Sequence, residues 1–211
     1  MQDQLRIVVD AGFRDGTAGL GAWIPALGTG VALQGRASDN NEAEALAIVL
    51  GLVVGSLMRL SRCIVLTDSL VSVERLRDGR AGEGALHLVR DILAAQAVEL
   101  EWRPREATGL ADFFATLALE GKCLVATTPN AKNPAEKFRP LLRLERKDKT
   151  PVKDVRIKWL TLPGASKAPF DAAVYGLGTM AEGLDVVLGA KIPVAEFRVL
   201  VEEFVQRGRV S

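Results

Sequence analysis

Two apolar runs in this chain, LRIVVD and CIVLTD, each end on an aspartate, Asp10 and Asp68. Aspartate is disfavoured in strands and a buried charge is costly, so one such ending means little and two call for a reason. In α/β sheets, ligands gather at the carboxyl ends of the strands, and parallel neighbours would bring both carboxylates to one edge. A third acid, Glu44, lies in DNNEAEALAIVLGLVVG, where Glu44 and Gly51 are the only residues between Ala43 and Val54 that are not plainly apolar. A helix that apolar on every side is buried, although a glutamate in a first turn also favours the helix dipole by about 0.3 to 1 kcal/mol. A fourth acid, Asp112, falls in the first turns of the helical pattern GLADFFATLALEG. Carboxylates drawn together repel strongly, and a divalent cation is the ordinary remedy. Four oxygen donors without histidine or cysteine suit magnesium, with manganese as a substitute, and not zinc.

Those acids need elements to position them. LRIVVD, LGAWIPA and TGVALQGRA read as three strands of an antiparallel meander, with the Asp-Gly of AGFRDGTAG and the glycines of LGTG as turns. A helix starts near Asn41, capped by Asp39 or Asn40. Then come the strand CIVLTDS, the helices LVSVERLRDG and EGALHLVRDILAAQ, the strand VELEWRP and the helix GLADFFATLALEG. Strands reached by helical crossovers must lie parallel to a neighbour, so the expected fold is α/β, a mixed five-stranded sheet with flanking helices. Past Gly121 the pattern weakens to a small α+β extension. There TTPNAKNPAEK reads as a linker, FRPLLRLERKD and VRIKWLTL as a strand pair, and PVAEFRVLVEEFVQRG as a closing amphipathic helix.

Charge divides the chain at the same place. Residues 1–120 hold 11 arginines and no lysine against 16 acids, a net charge of −5, whereas residues 121–211 hold 16 bases against 10 acids, a net +6. The expected division is therefore a catalytic domain over 1–120 and a basic domain over 121–211. Cys63 and Cys123 sit in apolar runs as small core residues, and the one histidine, His87, lies in an amphipathic helix as a structural residue. No charge-free apolar run reaches membrane-spanning length, and MQDQLRIVVDAG lacks a basic-then-apolar leader; the expectation is a cytoplasmic protein with no membrane partner.

The blocks VVDAGFRDGTAGLGAWI, NNEAEALA, IVLTDS and VELEWRPREATGLADFFATLAL resemble the four blocks of type 1 ribonuclease H, in the same order, over roughly residues 4–120. The last block, with its WRPRE strand end, is most similar to the reverse-transcriptase-like branch. The resemblance implies a ribonuclease H-like fold and an endonuclease that hydrolyses the RNA strand of RNA/DNA hybrids by a two-metal-ion mechanism. It places Asp10, Glu44, Asp68 and Asp112 as catalytic metal ligands, with Asp10 bridging the ions. It also sets Asn40 and Asn41 in the minor groove, where helix capping is the competing role. Gly12, lacking a side chain, lets backbone approach the nucleic acid. Many members carry a histidine in the loop before the final aspartate; here that loop reads PREATGL, leaving Arg105 or Glu106 for its role. The other enzyme reading is a 3′–5′ exonuclease, which typically has an acid where this chain has Gly12. The non-enzyme reading is a nucleic-acid-binding scaffold that uses its tail.

Residues 121–160 carry 11 bases against 4 acids, a surplus that suits phosphate as well as a solvated hairpin. Arg143, Arg146, Lys147, Lys149, Lys153, Arg156 and Lys158 are the expected phosphate contacts; the rival is a packing surface, including a homodimer through the C-terminal region. Each phosphate contact on a duplex steepens the log–log dependence of affinity on salt by about 0.9. Changing Arg146, Lys147 and Lys149 together to alanine is expected to weaken hybrid binding and flatten that slope. An unchanged slope and affinity in a salt titration would make the hairpin a structural or partner surface.

Overall fold

The computed structural model describes residues 5–57, 63–82, 84–95, 98–128, 133–143 and 155–159. The expected closing helix and the side chains of Arg146, Lys147, Lys149 and Lys153 lie outside them; for Arg143, Arg156 and Lys158 only the backbone is described. Strands β1 (Leu5–Arg14) and β2 (Thr17–Ile24) form a hairpin closed by Asp15 and Gly16, with φ of 49° and 74°. Positive φ at both central residues is the two-residue hairpin turn that Asp-Gly favours. The expected end of the first strand at Asp10 is too early: the turn falls later, the ladder runs on to Arg14 paired with Thr17, and Asp10 sits mid-strand opposite Gly21.

Strand β3 (Thr29–Arg36) completes the meander. Helix α1 (Asn40–Leu57) leads to β4 (Cys63–Thr67), parallel to β1. Helices α2 (Leu70–Arg77) and α3 (Ala85–Ala95) lead to β5 (Val98–Trp102), parallel to β4, and α4 (Gly109–Leu119) follows. These are the five strands and four helices read from the sequence. Beyond Gly121 the described residues lengthen the same sheet. Strand β6 (Leu124–Thr127) pairs with β3, and β7 (Arg156–Trp159) pairs with β6, for the order β5-β4-β1-β2-β3-β6-β7. The expected linker holds the end of β6 and the short helix α5 (Pro134–Phe138), and Arg139–Arg143, expected as strand, is a 3-10 turn. Of the expected strand pair, the second member pairs with β6, and in the first Phe138 and Leu141 are fully buried while residues 144–148 lie outside the described residues.

Strand β1 is buried on both faces. Ile7 and Val9 join a cluster with α1 and α3, while Val8 joins Trp23, Phe114, Phe138 and Leu141 on the α4 face. A near-continuous apolar run is what a doubly covered strand requires. Helix α1 is apolar all round because it lies between the sheet and α3, with Ala43 and Ala45 through Val54 at most 4% exposed apart from Gly51. On the other face, Phe138 meets Trp23 edge-on at 5.7 Å and Phe114 at 5.2 Å between ring centroids. The Lys122 ammonium, 7% exposed, donates to the Leu141 and Leu142 carbonyls at 3.3 and 2.7 Å and pairs with Glu120 at 3.2 Å. A buried cation so held ties residues 139–143 to the end of α4. Among the described residues no helix is long and apolar enough to cross a membrane.

Phe138 therefore closes the core that carries α4. Phe138→Ala is expected to lower unfolding free energy by about 3 to 5 kcal/mol, measured by denaturant unfolding of the full chain; a change within error would show that this aromatic cluster contributes nothing to the fold.

Candidate metal centre

At the end of the β1–β4 pair, the register Val8↔Leu66 carries Asp10 and Asp68 to the same level. Helix α1 enters over that edge because Asp39 caps it, accepting from Glu42 N at 2.8 Å, while Glu42 folds back to accept from Ser38 N and Oγ. This reciprocal cap occupies Glu42 and fixes the register that turns Glu44 inward. One oxygen each from Asp10, Glu44 and Asp68 lie within 4.8 Å of one another. Three of the four predicted carboxylates thus converge. Asp112 stands outside that group in the first turn of α4, its side chain 49% exposed and paired with Arg105 at 3.6 Å.

Asp10 is 2% exposed. Its Oδ1 accepts from Ala11 N at 2.8 Å, and its Oδ2 lies 3.4 Å from the buried Thr108 hydroxyl, which also reaches the Arg105 carbonyl at 2.9 Å. Burial, then the charges of Asp68 and Asp112, push its pKa to about 7. Glu44 is pushed to about 8, by burial first and then by Asp10 and Asp68. Asp68 is raised too, by burial, with Asp112 adding to it and Arg105 opposing it. Glu44 Oε2 and Asp68 Oδ1 are buried without any hydrogen-bond partner. Two orphaned carboxylate oxygens facing a third acid form a donor set for a hard divalent cation, so these residues fit magnesium or manganese.

The other expected site residues fall at defined places. Asn40 and Asn41 are exposed on the first turn of α1, next to the acid group. A Cβ at Gly12 would come within 2.5 Å of Leu119 Cδ1, so the missing side chain there also lets α4 sit close on the hairpin. His87 is bound on the surface of α3, to Asp91 at 3.1 Å and Arg90 at 2.7 Å. Sequence reasoning missed Thr108. Its one signal was a cap-type residue before α4, yet its side chain makes no cap bond and turns to Asp10 and Arg105 instead.

An antiparallel meander followed by parallel strands, with acids at the sheet edge and on the flanking helices, defines the ribonuclease H-like fold. The reverse transcriptase-like family matches residues 13–118, and the chain belongs to that family. Similar solved structures include ribonuclease H1 from the archaeon Halobacterium salinarum NRC-1, with 18% identity and a TM-score of 0.42 over 56% of this chain and 98% of that one. Another is the N-terminal ribonuclease H domain of a Mycobacterium tuberculosis protein, solved as a fusion with maltose-binding protein, with 26% identity and a TM-score of 0.46 over 56% and 96%. No curated protein matches significantly in sequence.

Raised carboxylate pKa values mean that the protonated forms favour folding. For Asp10 and Glu44 this contribution is complete below about pH 4 and is lost as pH rises through about 7 to 8. In EDTA, Tm is expected to fall between about pH 5 and 9. Asp10→Asn should flatten the fall and raise Tm at the alkaline end, by about 2 to 4 °C for each kcal/mol of relieved repulsion. Scanning calorimetry across that range checks it; an Asn variant that melts below the parent at pH 9 would place the repulsion elsewhere.

Proposed function

We propose that this chain is a magnesium- or manganese-dependent endonuclease that hydrolyses the RNA strand of RNA/DNA hybrids. The observation that carries the reading is the convergence of Asp10, Glu44 and Asp68 with two carboxylate oxygens left unpartnered, in a chain whose family match spans Glu44, Asp68 and Asp112. A divalent cation, or the pair that a two-metal-ion mechanism uses, would supply Lewis-acid stabilisation of the scissile phosphate and would lower the pKa of an attacking water. Asp10, Glu44 and Asp68 hold the cation. Asp112, more exposed and tethered by Arg105, completes the ligand set at the open side.

Around the acids, the surface offers donors for a nucleic-acid backbone. Beside the cap of α1, a cleft of about 250 Å³ is lined by Asp39, Asn41, Glu42, Ser72, Arg75 and Arg80, with Arg80 also paired to Asp78. Arg75 in it suits phosphate, and Asn40 and Asn41, exposed on the first turn of α1, would reach base edges and ribose hydroxyls. The 2′-hydroxyl is what separates RNA from DNA at a given position. Gly12 adds backbone at close range, and the basic residues from Arg143 to Lys158 recruit the polyanion to an acidic domain. Arg105, on the loop after β5, takes the place of the loop histidine in assisting product departure.

Incubation of labelled RNA/DNA hybrid, double-stranded RNA and single-stranded DNA with Mg2+, Mn2+ or EDTA tests the reading. Cleavage is expected of the hybrid alone and to stop in EDTA. Glu44→Gln should cost at least the roughly 10- to 100-fold typical of a weakened metal site, whereas Glu42→Gln, which keeps an oxygen for the Ser38 cap, should stay close to the parent rate. Activity indifferent to EDTA, or the reverse order of the two variants, would sink it.

A further inference from the structure

Asp68 lies just past the end of its strand, at the junction of β4 and α2. The β4–β5 ladder ends one residue before it, at Thr67↔Trp102, with Arg103 N donating to Thr67 O at 2.8 Å. One oxygen of its carboxylate is buried with no partner, so the orientation of its own peptide bears directly on where that oxygen points. That peptide carbonyl accepts two donors: Leu70 N at 3.0 Å, from the start of α2, and the indole Nε1 of Trp102 at 3.2 Å. Trp102 is 43% exposed at the end of an edge strand, so burial alone does not account for a residue of this size. Indole is a rigid, donor-only group. It extends the hold of β5 on β4 by one residue, past the point where main-chain bonds stop.

We infer that Trp102 is a positioning residue, which fixes the Asp68 peptide and so aims the Asp68 carboxylate at the cation. The inference rests on the metal-dependent reading above. Ligands work only when held within about 0.5 Å of the productive geometry, and outer groups that orient them typically govern affinity by 10- to 100-fold. Trp102→Phe keeps an aromatic ring on β5 and removes only the N–H donor. Removing that donor leaves the Asp68 carbonyl with Leu70 N alone and frees the peptide to rotate. The carboxylate then spends part of its time off axis, which weakens the site without emptying it.

The test uses the full chain stripped of metal. Calorimetric titration with Mn2+ and with Mg2+ is expected to show Trp102→Phe binding about tenfold more weakly than the parent, while Tm in EDTA is held. In the parent, the indole proton of Trp102 should exchange slowly with water by NMR despite the exposed ring. With hybrid substrate at fixed subsaturating Mg2+, kcat should fall and KM for the hybrid stay constant. Equal metal affinity in parent and variant overturns this inference alone. So does a raised KM with metal affinity intact, which would make the ring a substrate contact. A rapidly exchanging indole proton overturns it even where the variant fails to fold. Absence of Mn2+ and Mg2+ binding by the parent removes the nuclease reading and this inference together.

Discussion

Oxygens of three carboxylates within 4.8 Å of one another, at an edge where Asp10 is 2% exposed, form the interaction to which the rest of the molecule answers. Like charges at that separation are hardly screened by the water that reaches them, and a free chain would simply move them apart. The fold prevents this by placing each acid on a separately anchored element. Asp10 belongs to a strand buried on both faces, Glu44 to a helix enclosed by sheet and α3, and Asp68 to the junction of β4 and α2. Burial first, and repulsion between the acids second, favour protonation in the absence of metal, which is the physical content of pKa values near 7 and 8 for groups that ordinarily ionise near 4. An occupied site removes that need. Stability and function therefore pull against each other at this edge: the arrangement that costs the metal-free fold most is the one that receives a dication best.

Much of this arrangement was legible in the chain, for reasons particular to each residue. Asp10 and Asp68 stood out because each closes a largely apolar run with a charge, and Glu44 because the helix that follows it is apolar on nearly every side. Helix α1 explains itself the same way, since only burial between two layers suits such a surface. The Asp-Gly at 15 and 16 announced its turn, but not that the strand before it would continue past Asp10. A strand's end is decided by how far its partner runs, and that partner lies across the hairpin. Asp112 illustrates a different boundary. Its place in the first turn of α4 was readable, whereas its distance from the other three depends on how α4 seats on the hairpin glycines and on the pull of Arg105.

What the sequence concealed was mostly contact between distant segments. Strand β6 is four residues long and gains its place only by pairing with β3, far earlier in the chain. Phe138 and Leu141 sit in a stretch rich in charge, so local composition suggested surface, yet the Trp23 and Phe114 rings left a gap that only apolar side chains could fill. The Lys122 ammonium, one of the bases in the basic stretch though not among the expected phosphate contacts, donates to the carbonyls of residues 141 and 142. Thr108 fails to stand out for the same reason, and Trp102 was visible only as part of the WRPRE block; the contact each makes beside an acid comes from the fold.

The division of labour between acidic and basic halves follows from the same edge. A polyanion cannot approach a cluster of carboxylates without cations between them, and the described surface provides two kinds. Arg75 and Arg80 line a cleft beside the cap of α1 together with Asp39 and Glu42, Arg80 being paired to Asp78, and the exposed Arg105 pairs with Asp112. None of these is close enough to Asp10 to neutralise it outright; Arg105 only moderates its pKa. A fixed cation placed deeper would satisfy the orphaned oxygens of Glu44 and Asp68 permanently and close the site to exchangeable metal. With the arginines at the rim, the orphaned oxygens of Glu44 and Asp68 stay open, so on the proposed reading the charge that holds the substrate and the charge that would act on it are carried by different groups.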